Sequence, residues 1–229
     1  IDVFISVSPS IIDWYLRFFG SKKTELILNA PSFDRSVFEA QRNDYLRSHF
    51  GIPDTEKVFV YLGIITEHAR SIPLYLDAFS RDQITAHIVF IGYGEYVDRV
   101  KEYAGRFGNI HYHDAVPFDQ IVHIVKSADV GLCMIEAVSQ TTYYSLPNKL
   151  FEYAFAGLYL LTSDFPDMKK IVEDYQLGEY CSLEPAIFVA KIKDLQNKEI
   201  RKSQVDLYPL TWEYQARKLC AVYDQILKG

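Results

Sequence analysis

Ser145-Leu146-Pro147-Asn148-Lys149-Leu150-Phe151-Glu152-Tyr153-Ala154-Phe155-Ala156-Gly157, followed by Leu158-Tyr159-Leu160-Leu161-Thr162, is the most informative segment of the chain. It reads as a helix that begins just after a proline and ends just before a strand. Lys149 and Glu152 stand three residues apart, so they share a helix face and can address one ligand together. A cation near a helix N-terminus, where backbone N–H groups also point outward, suits a diphosphate. A carboxylate one turn further on can accept hydrogen bonds from both hydroxyls of a ribose. The competing reading is an ordinary amphipathic helix that packs Leu150, Phe151 and Tyr153 inward and leaves Asn148, Lys149 and Glu152 in water.

Outward from this segment, strands alternate with helices. Upstream, Lys57 to Leu62, His87 to Ile91, Asn109 to Tyr112 and Val130 to Met134 read as buried strands. Helices are predicted between them over Ile72 to Phe79, Tyr96 to Phe107 and Asp119 to Lys126, the first capped by Ser71 with Pro73 in its first turn. A helix over Met168 to Asp174 and a short strand over Gly178 to Cys181 follow. Near the start, Val3 to Val7 reads as a strand, Ser8-Pro9-Ser10 as a helix start before Ile11 to Phe19, and Leu26 to Leu28 as a further strand. Residues 32–56 are polar, with a helical patch near Asp44 to Phe50. The segment from Thr211-Trp212-Glu213-Tyr214 to Ile226-Leu227 forms a terminal amphipathic helix. Such alternation, with continuous apolar strands, predicts an α/β fold: a Rossmann-like, doubly wound parallel sheet with helices on both faces. Ligands of these sheets bind at the carboxyl ends of the strands.

Composition narrows the function. The 229 residues are 49% apolar and 15% aromatic, enough for a substantial core and too apolar for disorder. A formal net charge of −6 argues against nucleic-acid binding. Cys133, Cys181 and Cys220 have no zinc or disulfide spacing and read as buried thiols in a reducing compartment. His111 and His113 alternate on one strand without a third ligand spaced to join them, so no metal is expected. No apolar run approaches the roughly 20 residues of a membrane span. The chain opens at Ile1, directly in strand-like sequence, and reads as a fragment.

Pro147, Lys149, Glu152, Tyr153, Ala156 and Gly157 together resemble the nucleotide-sugar signature of the retaining glycosyltransferases of GT-B architecture, the group 1 family. The likeness extends over nearly the whole chain. It implies that residues 1–31 are a remnant of an N-terminal acceptor domain and hinge, that 32–210 are the nucleotide-sugar-binding domain, and that 211–229 form the helix that crosses back. It further implies a nucleotide-binding set of Gly63, Val116, Asn148, Leu150 and Glu152. Arg70 and Lys149 would stabilise the departing diphosphate, and Tyr144 and Ser145 would shape the sugar pocket. The donor would be a UDP- or GDP-type nucleotide sugar, with no metal and no further cofactor. A hexose would pass with retention to a glycan or lipid-linked acceptor held by the missing half, as in polysaccharide biosynthesis. The expected location is the cytoplasm, with peripheral contact at the inner membrane face also open.

The chain departs from the family in two places. Ile64 stands where relatives carry an arginine after the glycine, and Tyr144 stands where many carry a first glutamate eight residues before Glu152. Glu136 is too far away in sequence to substitute for it obviously. His87 to Gly94 resembles the family's second strand and glycine turn; it is no dinucleotide fingerprint, because Val97 takes the third glycine's place. A GT-B nucleotide-sugar epimerase, a non-catalytic nucleotide-sugar-binding domain, and a generic receiver- or flavodoxin-like module remain alternatives. The fragment alone is expected to turn over nothing.

Overall fold

The computed structural model describes residues 2–228; Ile1 of the expected 1–31 segment and Gly229 of the expected 211–229 helix lie outside the described residues. The chain opens with β1 (Phe4–Ser6), α1 (Pro9–Phe19) and β2 (Thr24–Leu26), whose two strands pair in parallel. Ser8 caps α1 by accepting the N–H of Ile11. Two short helices, α2 (Arg35–Glu39) and α3 (Tyr45–Phe50), lead to the main body.

That body alternates β3 (Val58–Ile64), α4 (Ile72–Phe79), β4 (His87–Tyr93), α5 (Val97–Ala104), β5 (Ile110–Asp114), α6 (Ile121–Val125) and β6 (Val130–Cys133). It continues through α7 (Gln140–Tyr143), α8 (Asn148–Ala156), β7 (Tyr159–Ser163), α9 (Pro166–Asp174), β8 (Gly178–Cys181) and α10 (Pro185–Asn197). α11 (Trp212–Lys228) ends the chain. Strands β3 to β8 form one parallel sheet in the order β5-β4-β3-β6-β7-β8. Counted from β3 this is 3-2-1-4-5-6, the doubly wound order in which the topology reverses between the two central strands.

The continuous apolar runs follow from burial on both faces. In β3, Val58, Val60 and Leu62 join one core with α6 and α8, while Phe59 and Tyr61 join a second with α4 and α10. β4 divides likewise, Val89 and Ile91 against Ile88 and Phe90. The two central strands, β3 and β6, are in register only at Phe59–Val130 and Val60–Gly131. Beyond that point they part, and side chains take over the orphaned backbone groups. The Tyr153 hydroxyl accepts the N–H of Leu62 at 2.7 Å, and the Tyr75 hydroxyl accepts the N–H of Met134 at 3.0 Å. The gap so opened is the crevice at the carboxyl ends of the strands.

Several local expectations change. β3 runs past Leu62 through Gly63 to Ile64 and β4 to Tyr93, because those ends still pair with each other. The helix expected over 96–107 is the shorter α5, and that over 119–126 is split into a 3-10 turn (Phe118–Gln120) and α6. Ser71 does not cap α4; it sits at φ 56 and its buried hydroxyl has no hydrogen-bond partner among the described residues. α8 is no half-solvated helix, since every residue from Lys149 to Ala156 is buried. α10 was unexpected, although Phe188, Val189, Ile192 and Leu195 carry a helical period behind Pro185. Cys133 and Cys181 are buried, but Cys220 is exposed on α11. Among the described residues no helix is long and apolar enough to cross a membrane.

The N-terminal segment and α11 are tied to the main body. Asp167 on α9 accepts hydrogen bonds from Ser8 Oγ (2.5 Å), Ser10 Oγ (2.8 Å) and the Ser10 N–H (3.1 Å). Gln215 of α11 accepts the N–H of Leu28 at 3.0 Å and donates to the Pro209 carbonyl at 2.7 Å. Lys218 pairs with Glu25 at 2.8 Å.

Candidate functional site

A cleft of about 390 Å³ opens at the carboxyl ends of β3, β4 and β5, against the first turn of α8. Gly63, Arg70, Val116, Asn148, Lys149 and Glu152, six residues singled out in the sequence, all line it. Three others do not. The Leu150 side chain is fully buried in the core, and its N–H is donated to the Pro147 carbonyl at 3.0 Å. The Tyr144 hydroxyl accepts from the Gln140 amide at 3.2 Å, and Ser145 Oγ donates to the Thr142 carbonyl at 2.8 Å. Both belong to the turn after α7, outside the cleft lining.

Lys149 is the centre of the arrangement. Its side chain is buried, and its ammonium has no hydrogen-bond partner among the described residues. The ammonium lies 4.0 Å from the centroid of the Tyr61 ring, a cation–π contact that offsets part of its desolvation. Burial pushes its pKa down to about 8; the neighbouring Arg70 charge also lowers it, while Cys133 and Glu152 pull it up. Cys133, beneath it on β6, is itself pushed up to about 11 by burial. Glu152 is buried one turn along α8, and desolvation lifts its carboxyl to about 7 against the opposing pull of Lys149. Two ionisable groups displaced by burial thus share one cleft, which makes it the candidate binding site.

The surrounding backbone fits an anion. No side chain caps the N-terminus of α8, where Pro147 precedes Asn148 and Lys149. Gly63 adopts φ 129, and a Cβ there would point toward Lys149 Nζ, 4.0 Å away, so a larger residue would fill the space before the ammonium. Gly92 and Gly94 serve close packing: a Cβ at either would lie 1.9 Å or 2.2 Å from the carbonyl oxygens of Gly63 or Ile65. Asn148 is exposed at the cleft, and its side-chain carbonyl accepts from Asn29 at 3.1 Å.

Sequence reasoning missed part of the lining. Tyr61 was read only as a strand residue, yet its ring lies beneath Lys149 and its hydroxyl donates to the Ile64 carbonyl at 2.7 Å. Ile64 and Tyr93, paired across β3 and β4, remain 46% and 63% exposed at the cleft wall. In the sequence Ile64 stood out only as a departure from the family and Tyr93 only as part of a glycine turn; their exposure at the strand ends is a property of the packed chain. With Val116 and Ile121 they make that wall apolar. A second recess of about 290 Å³, between Asp34, Phe118 and His123, shares Ile121 and Glu152 with the cleft.

The histidines make other contacts. His111 Nε2 meets His87 Nδ1 at 2.8 Å, the other His87 nitrogen bonds Glu56, and His113 Nε2 meets the Tyr45 hydroxyl at 2.9 Å. Burial lowers His111 to about 4. Among the described residues no group of three or more His, Cys, Asp or Glu side chains is placed to hold a metal ion.

The sequence matches the family model described as glycosyl transferases group 1 over residues 56–198, more than half of the 229-residue chain. No curated protein matches it. Among solved structures the chain is similar to a glycosyltransferase from Rickettsia africae, with a TM-score of 0.71 and 13% identity, over 98% of this chain and 63% of that one. It is also similar to the lipopolysaccharide outer core galactosyltransferase WaaB in its apo form (TM-score 0.66, 16% identity, 98% of this chain, 62% of that one). HepE of Anabaena, solved with UDP-glucose, is a third (TM-score 0.65, 14% identity, 96% and 64%). The chain thus spans less than two thirds of each, and likeness at these identities speaks for the Rossmann-like GT-B fold. The family match itself runs from the turn before β3 to the end of α10 and takes in the whole six-stranded sheet, so the chain belongs to the glycosyl transferases group 1 family.

Proposed function

We propose that this chain is the donor-binding, C-terminal half of a glycosyltransferase and holds a nucleoside-diphosphate sugar in the cleft between β3, β4, β5 and α8. The observation that carries the reading is the buried ammonium of Lys149, without a hydrogen-bond partner among the described residues, before the uncapped N-terminus of α8. A diphosphate supplies the opposite charge and the acceptors that this group lacks. Arg70 lines the same cleft and adds a second cation. Glu152 takes the ribose hydroxyls as a carboxylate. The apolar wall of Ile64, Tyr93 and Val116 faces the base. That a neighbour of the same fold was solved with UDP-glucose supports UDP as the first nucleotide to try, with GDP the alternative.

As the glycosidic C–O bond breaks, its electron pair leaves with the diphosphate. Lys149, Arg70 and the α8 amides stabilise that developing charge. Transfer with retention, a hexose as the sugar, independence from metal, and a glycan or lipid-linked acceptor bound by a further part of the protein complete the proposal, on the strength of the signature. The Tyr144 and Ser145 region reaches the sugar only if closure of the two halves brings the turn after α7 inward.

Titration calorimetry with UDP, GDP, UMP and inorganic pyrophosphate tests it, with Glu152→Ala alongside. A nucleoside diphosphate should bind, and Glu152→Ala should weaken it about tenfold, the worth of a charge-assisted hydrogen bond, while leaving pyrophosphate unchanged. Absence of binding by every nucleotide to the folded chain would sink the reading.

A further inference from the structure

We infer that Glu136 is a positioning residue that fixes Arg70 in the donor cleft by holding its strained backbone; this rests on the cleft's being a diphosphate site. Among the described residues only three that are not glycine adopt positive φ: Ala69 (65°), Ser71 (56°) and Gln176 (51°). Two of the three flank Arg70. A side chain in this region is strained, and the strain persists only where neighbouring structure imposes it.

The imposing group is Glu136, just past the end of β6 on the far side of the parting between the central strands. Its Oε2 accepts the Ala69 N–H at 3.0 Å, and its own N–H donates to the Ala69 carbonyl at 3.4 Å. Both polar backbone groups of Ala69 therefore rest on one residue. On the other side of Arg70, the Ser71 carbonyl accepts the N–H of Tyr75, which ties the segment to α4. Arg70 is thereby pinned from both ends. Among the described residues no ion pair joins Glu136 to the guanidinium, so the carboxylate grips main chain and leaves the Arg70 side chain to the cleft. Glu136 itself does not line the cleft, so its action on a ligand passes through Arg70. This role accounts for a carboxylate at the topological switch point, where a ligand contact would otherwise be expected.

A double-mutant cycle read by calorimetry tests the assignment, using UDP and GDP against UMP and GMP. Arg70→Ala should weaken diphosphate binding about ten- to a hundredfold, as loss of a charge-assisted contact does. Glu136→Ala should reproduce a large part of that loss for diphosphates, spare the monophosphates, and add nothing in the Arg70→Ala background. Glu136→Gln, which keeps a carbonyl oxygen for the Ala69 N–H, should restore binding. Should Glu136→Ala fail to fold, Ala69→Gly supplies the second route. Glycine adopts the same φ without strain, so in the Ala69→Gly background Glu136→Ala should fold and cost less diphosphate affinity than it does in the wild-type chain. An equal loss on mono- and diphosphates, a Glu136→Ala effect that survives in the Arg70→Ala background, or no effect at all would overturn the inference while leaving the donor site standing. Failure of the wild-type chain to bind any nucleoside diphosphate would remove both.

Discussion

At the scale of single residues, the site stores instability that a ligand can release. A buried ammonium without hydrogen bonds costs free energy, and Lys149 bears that cost against one aromatic face. Lys149→Met keeps the stem and removes the charge; at pH 7 it should stabilise the unliganded chain by about 1–3 kcal/mol and abolish diphosphate binding. The sign with pH follows from the lowered pKa. Below about 8 the folded and unfolded chains both carry the proton and the full cost is present. Between about 8 and the ordinary lysine value of 10.5 the folded state has lost a proton that the unfolded state keeps, so wild-type stability rises with pH relative to the variant. Scanning calorimetry of both proteins at pH 7 and pH 10 checks this, and a constant difference would contradict it. Glu152 behaves oppositely. Raised to about 7, it holds a proton in the folded state that the unfolded state releases from about 4.5 upward, so its contribution to stability falls across that interval. Nucleotide affinity should strengthen as pH passes 7 and the carboxylate forms, which titrations at pH 6 and pH 8 would show.

At the scale of elements, α8 is positioned by the same aromatic residue that seals the sheet. Tyr153 packs against Gly131, where a Cβ would lie 2.4 Å from the ring, and its hydroxyl takes the Leu62 N–H that β6 no longer reaches. Tyr153→Phe leaves that buried N–H unsatisfied and should cost about 1–3 kcal/mol. Gly131→Ala should cost a similar amount by overpacking. Both appear as lowered urea midpoints at unchanged m-value. Because Gly63 directly follows Leu62, Tyr153→Phe should also weaken diphosphate binding, and Gly131→Ala should do so by displacing α8. A variant destabilised as expected but binding at full strength would show that α8 and the β3 turn are held by other contacts.

At the scale of the whole molecule, the N-terminal strands hang on two helices of the main body. Asp167 of α9 collects Ser8 and Ser10, and Gln215 of α11 bridges Leu28 and Pro209. Gln215→Ala should leave the melting temperature of the sheet nearly unchanged but speed hydrogen exchange at the Leu28 amide and along α11, because only the local opening becomes easier. Unaltered exchange at Leu28 would mean that apolar packing, rather than this amide, fastens the N-terminal segment. α1 also presents Phe18 and Phe19, both largely exposed, on a chain that spans 62–64% of the length of WaaB and HepE.

Much of this was legible one residue at a time. The apolar runs of β3, β4, β6 and β7 announce burial on both faces. The Lys149–Glu152 spacing announces a shared helix face, because helix periodicity is local and needs no tertiary information. The local code by itself therefore announced the alternation, the parallel sheet and the signature helix with Lys149 and Glu152 on one face, while Gly63, Arg70, Val116 and Asn148 were reached only through the resemblance to the family. Whatever depends on residues far apart in sequence was left to the tertiary structure: the exclusion of Leu150, Tyr144 and Ser145, the aromatic support of Tyr61 under Lys149, the exposed pair Ile64 and Tyr93, and the grip of Glu136 on Ala69 from 67 positions away. The physical reason is that burial and hydrogen-bond satisfaction are properties of the packed chain. A lysine's solitude, a serine's failure to cap or a carboxylate's backbone partner exists only once the two central strands have parted and the helices have closed around the gap.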